Sequence, residues 1–237
     1  MYNHAMNNAL NRIKGIVVVS VQAMPSEPLY DEKCMAAMMK SVLNGGAGAL
    51  RVAGVRDIKN AKRISDVPVI GITKPDKIPA NYKEIVYITP TVKDVISVIN
   101  AGADIVAFDG TQRPRPNGEK ISSLIKYIHV NKKIAMADIS TLEEGIKAAQ
   151  DGADVLSTTL AGYTMESLNS PSNEPDFELL EQLVKQANVP VILEGRIWDP
   201  KQVDRAFELG AHAVVIGSAI TRPQLITKRF VFRGGKE

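Results

Sequence analysis

A Gly-Ala step that precedes a short apolar run constrains this chain more than any other feature. It occurs at Gly46-Ala47, Gly102-Ala103, Gly152-Ala153 and Gly210-Ala211. The runs behind it are Ala49 to Val52, Asp104 to Phe108, Asp154 to Thr158 and Ala213 to Ile216. Four β-branched runs without the step lie between these units: Ile16 to Val21, Val67 to Ile72, Lys133 to Ala137 and Val189 to Leu193. Glycine supplies the left-handed exit of a helix, so each step reads as a helix end turning tightly into a strand. Runs that are continuously apolar rather than alternating are those of strands covered on both faces. Eight such strands alternating with helices predict an α/β fold, a single (β/α)8 TIM barrel over residues 1–237.

The helix signals agree with that alternation. Thr91 is placed to cap a helix that carries Val92, Val95, Ile96 and Ile99 on one face, and Thr141 with Glu144 has the form of a capping box. Phe177, Leu180, Val184 and Ala187 form another apolar stripe, and Asp199-Pro200 reads as a cap followed by a first-turn proline. Connections from helix to strand are short, whereas those from strand to helix are long and polar: Thr73 to Pro90, Gly110 to Gly118 and Leu160 to Pro175. Long loops gathered on one face usually carry function. Within the first of them Glu84 to Ile88 is strand-like and is read as an accessory strand, so a ninth strand is an alternative. The stretch Ser157 to Pro175, with its Ser- and Pro-rich centre, reads as a mobile lid or as a plain surface loop.

A chain of 237 residues fits one barrel and needs no disulfide or metal staple to bury a core. The lone Cys34 suits a reducing compartment, and no run approaches the roughly 20 apolar residues of a membrane span. Residues 1–14 are polar and Asn-rich, without the apolar core of a signal peptide, and read as a short arm or a helix closing the barrel bottom. A cytoplasmic protein is the expectation. Net charge is +3, with the clearest basic cluster at Lys228, Arg229, Arg233 and Lys236. Aromatics make up only 5%, so the basic stripe with interleaved rings that marks nucleic-acid binders is missing and no such partner is expected. A homodimer is the commonest assembly of soluble proteins, and nothing in the sequence strengthens or weakens it here.

In a barrel of this kind the chemistry lies just past the C-terminal ends of the strands. The residues there are Gln22, Arg51, Lys74, Asp109, Asp138, Thr158-Thr159, Glu194 and Gly217-Ser218. Each alone has an ordinary reading as a loop charge or a helix cap; their convergence on one mouth suggests a site. Gly195 and Gly217 directly follow the seventh and eighth runs, where backbone amides free of side-chain bulk can meet a phosphate, so Gly195, Arg196, Gly217 and Ser218 form the candidate phosphate end. His4, His129 and His212 all fall away from the strand ends, and Lys74 and Arg51 would compete for the carboxylates of Asp109 and Asp138, so no metal is expected. No dinucleotide glycine motif follows the first strand, and no redox cofactor is expected.

Taken in their local strings, these residues resemble the N-acetylmannosamine-6-phosphate 2-epimerase family. The matching segments are Val-Ser-Val-Gln22-Ala, Leu50-Arg51-Val, Gly71-Ile-Thr-Lys74, Ile88-Thr-Pro-Thr, Ala107-Phe-Asp109-Gly-Thr, Met136-Ala-Asp138, Thr158-Thr-Leu-Ala-Gly162-Tyr-Thr, Glu194-Gly-Arg and Gly217-Ser-Ala-Ile-Thr-Arg222. They occur in order from about Lys14 to Phe230. The resemblance implies conversion of N-acetylmannosamine 6-phosphate to N-acetylglucosamine 6-phosphate in sialic-acid breakdown. It implies Lys74 and Glu194 as acid/base residues, with Asp138 and Arg51 handling the ring and its oxygens. Gln22, Asp109, Thr159 and Tyr163 are the substrate-binding candidates. Two departures stand out: Val21 where the family often has Cys, and Pro75 where it often has Arg after the lysine.

Inverting carbon 2 requires removal of a proton beside the carbonyl of the open-chain sugar and its return on the other face. Lys74 after the third strand and Glu194 after the seventh lie four strands apart, the placement that two-group inversion needs. A lysine base must be neutral part of the time, which calls for desolvation or a cationic neighbour such as Arg51. Arg51 is also a candidate partner for the developing enolate. Two assignments of Glu194 stay open: a second acid/base, or a positioning group while a substrate hydroxyl assists one transfer. The rival readings are a pentulose-phosphate epimerase, a lysine aldolase working through a Schiff base, and a non-catalytic sugar-phosphate sensor.

Overall fold

The computed structural model describes residues 9–232. Residues 1–8 and 233–237, which include His4, Arg233 and Lys236, lie outside the described residues, as does most of the expected N-terminal arm. The eight strands are β1 (Val17–Val21), β2 (Ala49–Ala53), β3 (Val69–Ile72), β4 (Ile105–Asp109), β5 (Ile134–Asp138), β6 (Val155–Ser157), β7 (Val191–Glu194) and β8 (Ala213–Ile216). Each pairs in parallel with the next, and β8 pairs back to β1 in the register Val18↔Val215 to close the barrel. Around it run α1 (Glu32–Asn44), α2 (Val55–Ile64), α3 (Val92–Asn100), α4 (Ile121–Val130), α5 (Leu142–Gln150), α6 (Phe177–Gln186), α7 (Pro200–Glu208), the short α8 (Ser218–Thr221) and α9 (Pro223–Val231).

The Gly-Ala steps do what their sequence implies. All four glycines have φ between +92° and +104°, a region that costs a side chain and not a glycine. At each step the glycine and alanine amides return to carbonyls of the preceding helix, as in Gly102 N to Ile99 O and Ala103 N to Val98 O. The helix carbonyls are thereby satisfied, and the chain enters the next strand at once. Helix starts are equally local: Thr91 with Asp94, Thr141 with Glu144 and Asp199 with Gln202 all form reciprocal capping boxes.

Side chains alternate across each strand with a period of two. One parity packs outward against the helices, with Val19, Leu50, Val106, Phe108, Leu156 and Leu193 in that layer. The other parity fills the barrel with Val18, Ala49, Ile70, Ile105, Ile134, Val155, Ile192 and Ala213. Ile13 is fully buried against this interior, and Ala9 and Leu10 pack beside it, closing one end with apolar surface. At the other end the inward parity changes from apolar to polar, and that end is the mouth.

The accessory strand expected at Glu84 to Ile88 does not form. A closed barrel leaves no free edge for it, because β3 and β4 already pair with each other. The segment instead crosses the mouth, with Val86 and Ile88 buried. Single hydrogen bonds fasten it, Thr89 N to Thr73 O (3.1 Å) and Asp109 N to Ile88 O (3.1 Å). The stretch after Leu160 is folded too. Thr164 and Ser167 are buried, and their hydroxyls join that of Ser140 in a network of 2.7–2.9 Å contacts.

Candidate active site

The inward parity leads from the core to the site on strand after strand. Val18 is followed two and four residues on by Ser20 and Gln22, Ala49 by Arg51, and Ile72 by Lys74. On the far side Met136 leads to Asp138, Val155 to Ser157 and Thr159, Ile192 to Glu194, and Val215 to Gly217. The mouth encloses a cavity of about 460 Å³ whose wall includes Gln22, Lys74, Thr159, Tyr163, Glu194, Gly195, Arg196, Gly217 and Ser218. Lys74 and Glu194 reach it from β3 and β7, four strands apart around the barrel. Pro75 follows without taking the lysine out of the cavity.

Arg51 and Asp138 lie beneath this cavity, at 1% and 0% exposure. The Arg51 fork grips Asp138 with both nitrogens, Nη1 to Oδ1 at 3.0 Å and Nη2 to Oδ2 at 2.5 Å, the strong bidentate geometry of a guanidinium on a carboxylate. Its Nη1 also pairs with Glu194 Oε2 at 2.9 Å. Burial works against the arginine's charge, but the carboxylates of Asp138 and Glu194 overcome it and hold its pKa above the usual value. With its fork committed to two carboxylates, Arg51 acts on the cavity through Glu194 and Lys74. The sequence expectation that it meets an enolate directly is not matched by this placement.

Lys74 Nζ donates to Gln22 Oε1 at 2.8 Å, and Gln22 Nε2 in turn donates to Ser20 Oγ at 2.9 Å. Burial and the nearby Arg51 cation bring Lys74 down from 10.5 to about 8, against the opposing pull of Glu194 and Asp138. Glu194 moves the other way. Burial raises its pKa, Arg51 opposes the rise, and Asp138 adds to it. An amine made easier to deprotonate thus shares a cavity with a carboxyl made easier to protonate, the pairing that acid/base chemistry near neutral pH requires. Thr158 Oγ1 fixes the Glu194 backbone at both N and O (3.1 and 3.0 Å), while Thr159 Oγ1 lies 3.0 Å from Glu194 Oε2.

Two expected site residues are turned elsewhere. Asp109 shares the inward parity but is fully buried, and its carboxylate is used by Thr111 (2.7 Å) and Arg113 (2.5 Å). Arg113 also donates to Tyr82 O at 2.8 Å, so Asp109 anchors the segment that crosses the mouth and does not line the cavity. The Arg196 guanidinium donates to Ala161 O (2.7 Å) and Glu174 O (3.1 Å) and lies 5.2 Å from the centre of the Tyr163 ring. It clasps both ends of the 161–174 segment, and Gly195 and Arg196 both remain on the cavity wall. Gly195 has φ +112° and Arg196 φ +56°, and a Cβ at Gly195 would meet no atom within 4 Å, so the space beside this turn is open.

The wall also holds residues that the sequence reading gave no role: Ser20, Tyr87, Trp198 and Arg222. Ser20 was within reach of the parity rule, two residues before Gln22. Tyr87 arrives on the crossing segment, and Trp198 and Arg222 come from loop and helix junctions that no strand period reaches. Arg222 is ion-paired with Glu27. Among the described residues no cluster of His, Cys, Asp or Glu is arranged to hold a metal ion.

Residues 35–234 match a family profile described as "Putative N-acetylmannosamine-6-phosphate epimerase". A Clostridium perfringens protein named "Putative N-acetylmannosamine-6-phosphate 2-epimerase" is 48% identical over 222 residues, covering 93% of this chain and 97% of its own length. A protein of the same name from Clostridioides difficile is 46% identical over 223 residues, covering 94% and 97%. The solved structure of the N-acetylmannosamine-6-phosphate 2-epimerase from Clostridium perfringens superposes with a TM-score of 0.88 at 47% identity, covering 94% of each chain. The thiamine phosphate pyrophosphorylase of Pyrococcus furiosus, at 18% identity and a TM-score of 0.58, shares the fold alone. From its sequence match and its barrel alike, the chain belongs to the N-acetylmannosamine-6-phosphate epimerase family.

Proposed function

We propose that this protein interconverts N-acetylmannosamine 6-phosphate and N-acetylglucosamine 6-phosphate by removing and returning a proton at carbon 2. The observation that carries the reading is the pair Lys74 and Glu194 on opposite walls of one cavity, with pKa values displaced toward each other. In one direction neutral Lys74 takes the proton from carbon 2 of the open-chain aldehyde, leaving an enolate. Protonated Glu194 then delivers a proton to the opposite face. The reverse reaction uses the ammonium of Lys74 and the carboxylate of Glu194, so each turnover leaves the pair ready for the other direction. Gln22 holds the lysine in place, and Arg51 with Asp138 sets the field beneath both groups.

The reading assigns the 6-phosphate to the end of the cavity lined by Gly195, Arg196, Gly217 and Ser218, where backbone amides would meet it, the side-chain charge of Arg196 being committed to the 161–174 segment. Tyr163, on that segment, stands at the rim. A cytoplasmic location is part of the reading. Cys34 is an exposed free thiol, which suits a reducing compartment, and among the described residues no helix is long and apolar enough to cross a membrane.

The test is proton NMR of the purified protein with N-acetylmannosamine 6-phosphate. Conversion to N-acetylglucosamine 6-phosphate is expected, with a loss on the order of 10²–10⁴-fold in Lys74→Ala, the usual worth of a proton-transfer group. Absence of conversion, or a Lys74→Ala variant as fast as the parent, would remove the reading. A lysine near pH 8 would also serve a Schiff base, and borohydride inactivation that requires the substrate would favour an aldolase instead.

A further inference from the structure

Thr159 lies in the 3₁₀ turn Thr158–Leu160 that follows β6. Its hydroxyl touches three protein oxygens: Asp138 Oδ1 at 2.8 Å, Ser157 Oγ at 2.9 Å and Glu194 Oε2 at 3.0 Å. Arg51 Nη1 reaches the same two carboxylate oxygens, at 3.0 and 2.9 Å. Asp138 Oδ1 and Glu194 Oε2 therefore alternate with a guanidinium nitrogen and a hydroxyl around one small ring of contacts. The guanidinium nitrogen donates to Asp138 and is held to Glu194 as an ion pair. The threonine hydroxyl has one proton, so it donates to only one of Asp138, Ser157 and Glu194 at a time. Of these groups Thr159 and Glu194 line the cavity, whereas Arg51 and Asp138 lie below it.

We propose that Thr159 is a positioning residue for Glu194: with Arg51 it fixes Oε2 against Asp138, and so leaves Oε1 as the oxygen that meets carbon 2 of the substrate. The task given to Oε1 rests on the epimerase reading; the hold on Oε2 does not. This differs from the substrate contact expected of Thr159 from sequence, since its hydroxyl is already shared among protein oxygens. The charged groups that face Glu194 are Arg51 from β2, Lys74 from the segment after β3, and Asp138 from β5. Burial raises its pKa, Arg51 lowers it, Asp138 raises it, and the Thr159 bond and Lys74 lower it. Loss of the hydroxyl removes a donor from the ionised carboxylate and changes none of the charges.

The experiment is a ¹³C NMR titration of full-length protein labelled at the glutamate carboxyl carbons, with the Glu194 signal assigned by its loss in Glu194→Gln. In Thr159→Val, which keeps the shape without the hydroxyl, the Glu194 midpoint should rise by about one pH unit or more, the shift that losing one hydrogen bond to a charged group produces. Thr159→Ser should return it to the parent position. The acid limb of kcat/KM for N-acetylmannosamine 6-phosphate should move with it, and kcat should fall more than KM rises. Thr159→Ala replaces the valine variant if that one does not fold. An unmoved midpoint without the hydroxyl, or a serine variant that behaves like valine, overturns the proposal. A parent protein that titrates as expected but turns over no substrate would discard the epimerase reading and leave the hold on Oε2 supported.

Discussion

The pH dependence of kcat/KM separates transfer by two groups from a lysine acting alone. One direction needs a neutral Lys74 and a protonated Glu194, and the other needs the ammonium and the carboxylate. Both states hold a single proton on the pair, so they are tautomers of one protonation level and the pair titrates as a unit. Activity must then fall once that last proton leaves. With Lys74 lowered to about 8, kcat/KM should decline about tenfold per pH unit above roughly pH 8. The lowering from 10.5 to about 8 enriches the tautomer with a neutral amine roughly 300-fold over an ordinary lysine, about 3 kcal/mol supplied by burial and Arg51. The assay is initial rates from pH 6.5 to about 11.5, above the second ionisation of a phosphate ester near pH 6. A rise to a plateau beyond pH 8 would show a lysine working alone and return Glu194 to positioning. An alkaline limb near 10.5 would refute the lowered lysine itself.

Gly217→Val should act on binding. A Cβ there sits 3.3 Å from the Ser20 Cβ and projects bulk into the proposed phosphate end, so KM should rise about tenfold or more with kcat little changed, whereas a pure kcat defect would move the phosphate elsewhere. Gly71→Ala should act on stability. Its Cβ would fall 2.7, 2.8 and 2.9 Å from side chains of Val98, Ala103 and Ile58, an overpacking that costs about 1–3 kcal/mol. Urea unfolding should show the lower midpoint, and an unchanged midpoint would mean the layer between β3 and its helices has room to yield.

Most of the barrel was legible because its signals are local. Gly46, Gly102, Gly152 and Gly210 need a backbone conformation that few other residues accept, and their amides close onto the helix just before them. The mouth was legible because the strand period is two, so an apolar inward residue such as Met136 or Ile192 predicts that Asp138 or Glu194 also faces inward. Parity has a limit. It treats Asp109 like Asp138, and what separates them is Arg113, four residues further on, reaching back to the first carboxylate. The Glu84 to Ile88 run has the composition of a strand, but strand formation depends on a free edge, and a closed barrel offers none. Arg196 beside Gly195 reads as an anion ligand until the return of the chain at Ala161 and Glu174 claims its guanidinium. The last two are decided by closure of the whole sheet and by a contact distant in sequence, and the first by which way the Arg113 side chain turns.

Isotope exchange reports proton transfer at carbon 2 without relying on any variant. The protein is incubated in D₂O with N-acetylmannosamine 6-phosphate, and the product is read by proton NMR and mass. Transfer through Lys74 and Glu194 gives N-acetylglucosamine 6-phosphate carrying one deuterium at carbon 2, with the exchange lost in Lys74→Ala. Product formed with its original hydrogen still at carbon 2 would contradict transfer through Lys74 and Glu194.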